Sequence, residues 1–187
     1  MKHYIRITVP YVRLLLLTAV SSLLIACDGN TDLMEDTLAG DPTKVQEDLD
    51  KGMPVDERNN YGWTALMHAA RKNQVAAMAI LIDGGADINA QDDEGWTPLM
   101  RAAAKGNLEA TQMLLERKAN LESTDKNGWT ALLWASSRGH AKILKLLISN
   151  GADVNVKSKD GRTAVFLARN EGYADILDIL KKAGAKQ

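Results

Sequence analysis

The sequence predicts an all-α solenoid of about five stacked helix pairs with short hairpin fingers, and three observations carry that prediction. Gly-Trp-Thr returns in a 33-residue register at Gly62-Trp63-Thr64, Gly95-Trp96-Thr97 and Gly128-Trp129-Thr130, then fades into Gly161-Arg162-Thr163. Each copy holds a short and a longer helical segment separated by a Gly or Asn break. Gly-Ala-Asp and an extended stretch then follow, as at Gly85-Ala86-Asp87 and Gly151-Ala152-Asp153. A unit this short cannot bury its own apolar face, so the copies must stack and function belongs to surface columns.

The first element in chain order lies outside the register. Lys2, Arg6 and Arg13 precede an uncharged run from Leu14 to Ala26. Residues 1–26 read as an export signal, because that run is well short of the roughly 20 residues a bilayer span needs. The ending Leu24-Ile25-Ala26-Cys27 resembles the lipobox of bacterial lipoproteins, which implies that Cys27 becomes the acylated first residue of the mature chain. Cys27 is the only cysteine, so acylation would leave no thiol for a disulfide, a zinc site or a nucleophile. Residues 27–30 are then a lipidated tether that anchors a periplasmic module to a membrane. Asp28 after the cysteine resembles an inner-membrane retention signal, with the outer membrane still open.

Within the register, Thr64, Thr97, Thr130 and Thr163 stand at N-cap positions, and Pro98 follows one of them where its missing N–H costs nothing. First helices are predicted at 65–72, 98–105, 131–138 and 164–171, ending at Asn73, Gly106, Gly139 and Gly172, residues that tolerate left-handed geometry. The second helices carry Val75, Met78 and Ile80-Leu81-Ile82, or Ile143-Leu144 and Leu146-Leu147-Ile148. Helices this apolar are expected to be buried around most of their circumference.

Gly-x-Thr-Pro-Leu, paired alanines, a Gly-His-like break, Leu-Leu and Gly-Ala-Asp-x-Asn together resemble the ankyrin repeat. The resemblance covers 31–187, with full copies at 62–94, 95–127 and 128–160. Counting back one period aligns Leu33 with Leu66, Leu49 with Ile82 and Gly52 with Gly85. Residues 29–61 are therefore a degraded capping repeat, with Asp36 and Thr37 where later copies have alanines, and 161–187 is a C-terminal capping repeat. One departure stands out: Met67, Met100, Leu133 and Phe166 occupy the place of the family's histidine. Apolar packing should there replace inter-repeat histidine hydrogen bonds.

The resemblance implies a non-catalytic module, expected to be a monomer, that binds a protein partner on its concave face. By resemblance, that face and the finger tips would carry Trp63, His68, Arg71 and Lys72; Trp96, Arg101, Ala104 and Lys105; and Trp129, Trp134, Ser137 and Arg138. Trp and Arg are the types most enriched at binding hot spots, and Arg101 and Trp134 stand out because neither follows the repeat pattern. The tryptophan column has a second reading, in which it braces one finger against the next. Asp92-Asp93-Glu94 reads as a solvated acidic tip rather than a calcium site, and Asn59-Asn60-Tyr61 and Asp125-Lys126-Asn127 as mixed contact tips.

Removing 1–26 takes away three basic residues and leaves four more acidic than basic ones. That balance argues against a nucleic-acid partner. Catalysis finds no phosphate loop, no metal-spaced Cys/His set and no nucleophile elbow; Ser136-Ser137 lacks a base, His140 fills the ordinary break position, and no cofactor or metal is expected. Family and address suggest an immunity protein that neutralises a phospholipase-type antibacterial effector of the type VI kind. The alternatives are an accessory factor for a periplasmic enzyme such as a catalase, and a structural envelope scaffold.

Overall fold

The computed structural model describes residues 28–186. The export signal and Cys27 with its acylation lie outside the described residues. Those residues hold ten α-helices and no strand: α1 (Asp32–Ala39), α2 (Pro42–Asp50), α3 (Ala65–Lys72), α4 (Val75–Asp83), α5 (Pro98–Lys105), α6 (Leu108–Glu116), α7 (Ala131–Ser137), α8 (Ala141–Ser149), α9 (Ala164–Asn170) and α10 (Ala174–Lys182). Each odd-numbered helix packs on the even-numbered helix that follows it and on the next odd-numbered one. The even-numbered helices form a second row in the same order.

Capping fixes where the odd-numbered helices start. Thr64, Thr97, Thr130 and Thr163 each accept the backbone N–H three residues on, and Thr31 does the same for Met34 in the first repeat. Such a cap satisfies a donor the helix leaves orphaned, worth about 1 kcal/mol. Asn73 and Gly106 end their helices in the left-handed region. Leu33, Leu66, Leu99 and Leu132 stack as one buried column, with Met34, Met67, Met100 and Leu133 as a second. Ala69-Ala70 and Ala102-Ala103, also buried, let neighbouring helices approach closely.

Phe166 continues the second column yet is 52% exposed, since no described element covers it. Apolar packing does occupy the family's histidine position. The ties between repeats run instead through the break, where Gln74 donates to the Leu38 carbonyl, Asn107 to those of Ala70 and Arg71, and a His140 ring nitrogen meets that of Ala104 at 3.2 Å.

One expectation needs correction. The second helices are not buried around most of their circumference: in α4 only Ala77, Met78 and Leu81 are buried, while Val75, Ile80 and Ile82 are half-buried. A helix in the outer row has neighbours on three sides and water on the fourth. Residues 28–30 are joined to the first finger and the first helix. The Asn60 N–H donates to the Asp28 carbonyl at 3.1 Å, and Asn30 links Asn59 to Glu35.

Candidate functional site: the groove between fingers and first helices

Each finger is tied by one short polar residue three positions before its glycine. Asn59, Asp92 and Asp125 accept the backbone N–H groups of residues two and four further on, at 2.8 to 3.0 Å. Ser158 holds the same place and accepts from the Arg162 N–H. Successive fingers are then stitched together, with the Asp93 N–H donating to the Tyr61 carbonyl, Lys126 to Glu94 and Lys159 to Asn127. Glycine is required in this stitch. At Gly95 φ is +80°, and a side chain would bring its Cβ to 3.0 Å from the Asp125 Cα.

At Asp92 and Asp125 the second head of the tie reaches for the first helix, nine residues downstream. Asp92 forms an ion pair with Arg101, and the Asp125 Oδ2 accepts the Trp134 indole N–H at 3.1 Å. In the finger that leads into the second repeat, the Asn59 Nδ2 turns back to Asn30 at 2.8 Å. His68, the residue in the matching place, is left with neither ring nitrogen partnered. Asp92 is therefore not a solvated tip charge; its side chain is 1% exposed and its oxygens are engaged. Asn59 and Asp125 are likewise buried and withdrawn from the contact tips to which the sequence assigned them.

Around these ties the aromatic and basic side chains form one continuous ladder. His68 lies on Trp63 with ring centroids 4.9 Å apart. The Arg101 guanidinium carbon sits 3.8 Å from the Trp63 centroid and 4.3 Å from that of Trp96. Trp96 meets Trp134 at 4.2 Å, and Trp134 meets Trp129 at 4.5 Å. Arg71 flanks Trp63 and Arg138 flanks Trp134 at 5.5 and 5.8 Å. Each cation–π contact contributes about 0.5–2 kcal/mol, more where water is excluded. Burial lowers the Arg101 pKa against the opposing pull of Asp92. It lowers that of His68 to about 4, helped by Arg71 and Arg101, so the imidazole is neutral at pH 7.

A cleft of about 320 Å³ opens on this ladder, lined by Trp63, Arg71, Trp96, Arg101, Ala104, Lys105 and Arg138. Of the sequence-selected residues, Lys72, Lys105 and Arg138 are exposed, and Trp63, Trp96, Trp129 and Trp134 are half-buried. Arg101 lies between two indoles and is bound to Asp92. His68 does not share the open face expected of it; it is 7% exposed beneath Trp63. Arg101 and Trp134 depart from the repeat pattern because they anchor fingers. The tying residues Asn59, Asp92, Asp125 and Ser158 recur in the 33-residue register, a signal available in the sequence but hidden among neighbouring loop charges.

Among the described residues no three His, Cys, Asp or Glu side chains converge as metal ligands, and no helix is long and apolar enough to cross a membrane. Ser136 and Ser137 donate their hydroxyls to helix carbonyls.

The family model for ankyrin repeats, described as three copies, matches residues 23–125 and 117–187. Similar stretches occur in "Ankyrin repeat, SAM and basic leucine zipper domain-containing protein 1". The protein from Neofelis nebulosa is 48% identical over 44 residues, covering 24% of this chain and 9% of that protein. The one from Equus caballus is 47% identical over 45 residues, covering 24% of this chain and 10% of that protein. The matched stretch thus spans about a tenth of these curated relatives.

Proposed function

We propose a function from the family to which this chain belongs, the ankyrin repeat proteins, whose repeats are in general non-catalytic protein-interaction modules. The partner is held in the groove between the fingers and the first helices. One observation carries this: the ladder from His68 to Trp129 presents a rigid, half-buried aromatic surface beside exposed cations, the composition of a binding hot spot. Rigidity matters because a pre-organised surface loses little entropy on binding.

The finer reading is a lipoprotein tethered through Cys27 to the periplasmic side of a membrane, acting as an immunity protein that sequesters an incoming phospholipase-type effector. Support comes from the Leu24-Ile25-Ala26-Cys27 ending and from Asp28. The Asp28 carbonyl is held by Asn60, so a lipid on Cys27 would keep the first repeat at the bilayer surface. That is where a lipid-cleaving toxin must act.

Capture from envelope extract by the wild-type chain and by Ala104→Trp, which plugs the cleft, tests the groove. A partner lost from the variant supports it, and retention of every partner overturns it. Cys27→Ser should move the protein out of the membrane fraction; unchanged fractionation would contradict the anchor. Cells lacking the gene should become sensitive to their siblings, and unchanged survival would count against immunity.

A further inference from the structure

The cleft between Trp63 and Trp96 is bordered by charge that the fold does not neutralise. Arg71, Lys105 and Arg138 line it, and none has an ion-pair partner among the described residues. Arg101, the fourth cation, is matched by Asp92 beneath it. The charge of the chain is segregated. Residues 28–61 hold ten acidic and three basic residues, whereas 62–187 hold fourteen acidic and seventeen basic ones. The groove is therefore locally positive in a chain whose overall balance is acidic. Ala104 stands where the neighbouring repeats place Arg71 and Ser137, and that truncation opens the hollow. Its volume lies at the small end of ligand-binding cavities, sized for a strand of peptide with a side chain or two.

We propose that this cleft binds an acidic, extended segment of a protein partner, its carboxylates on Arg71, Lys105 and Arg138 and its backbone laid across Trp63 and Trp96. The proposal rests on the groove being the partner-binding face and adds the chemistry of what enters it. Arg71, Lys105 and Arg138 come from three successive repeats, one from each. Packed helices lie about 8–10 Å apart, and an extended chain advances about 3.3 Å per residue, so carboxylates at about every third residue meet successive cations. Arginine adds a planar fork that pairs with a carboxylate through two parallel bonds. A long polyanion or an anionic bilayer would also meet the acidic first repeat, whose field opposes it. A short acidic peptide avoids that penalty.

The test uses the full chain and a fluorescent synthetic peptide with glutamate at about every third position. Comparison peptides carry the same glutamates clustered at one end, or lysine in their place. The spaced peptide should bind in preference to both and weaken with salt. It should lose about tenfold in affinity to Lys105→Ser/Arg138→Ser. Equal binding to wild type and double variant, or easier displacement by single-stranded DNA or anionic vesicles than by unlabelled peptide, would overturn the proposal. An envelope partner lost from Ala104→Trp but kept by the double variant would overturn the acidic segment while sparing the groove. A partner kept by both removes both readings.

Discussion

The fingers that lead into the second and third repeats carry the same tie, yet only the one entering the third closes it onto the helix that follows. Asp92 holds two backbone N–H groups with one oxygen and Arg101 with the other. Asn59 holds the equivalent two N–H groups, but its amide donates to Asn30, ahead of the first repeat's own first helix, and leaves His68 without a partner. The tie has an amide nitrogen in place of a carboxylate oxygen, and the helix position below it has His68 in place of Arg101. A donor cannot accept from the helix below, so the finger entering the second repeat is tied back to Asn30 and the one entering the third to the helix that follows. The fourth repeat follows the third, with the Trp134 indole as donor to Asp125.

The largest effect should come from opening the third repeat's tie. Arg101→Leu leaves the Asp92 carboxylate buried without its counter-ion and should cost about 3 kcal/mol, read as a lower urea midpoint. Adding Asp92→Asn copies the second repeat and should recover part of that loss. If Arg101→Leu unfolds no more easily than wild type, the ion pair is not what holds the finger.

Trp134→Phe removes the indole N–H from Asp125 and should cost about 1–3 kcal/mol, with a smaller loss when Asp125→Asn is already present. Additive losses would show that the two side chains do not act together.

Asn59→Asp converts the second repeat toward the third. It offers His68 an acceptor while giving up the bond to Asn30, so net stability should move by no more than about 1 kcal/mol. The His68 pKa should rise above about 4, followed by NMR titration of the imidazole. An unmoved pKa would mean that the carboxylate does not reach the ring.

The smallest effect at neutral pH belongs to His68→Leu, which imitates Leu167 in the same column. With the folded pKa below the ordinary 6.5, the unfolded chain takes up the proton first. The contribution of His68 therefore falls as pH drops from about 6.5 to about 4 and is level below that. The variant should lose that part of the slope in urea midpoints measured across the window. A slope unchanged by the substitution would assign it to carboxylates elsewhere.

Much of the fold was legible because its signals are local and repeated. Thr64, Thr97, Thr130 and Thr163 cap helices wherever the register places them, and Asn73 and Gly106 end them through their own left-handed backbone. Thr31 and the first repeat follow from one step back along the same register. The site was legible in composition but not in connection. Trp63, Trp96, Arg101, Lys105 and Arg138 do line one cleft. His68 does not share its surface, and the fingers' tying residues were hidden in loops that look solvated.

The sequence by itself thus determined the helices, their period, their caps and the alignment of side chains into columns, since each depends on residues within a turn or two. Tertiary structure decided which members of a column face water. Asp92 and Asp93 are adjacent loop acids, yet one is sealed beneath Arg101 and the other is exposed. Their fates separate because the folded finger turns the Asp92 carboxylate onto the first helix, where Arg101 covers it.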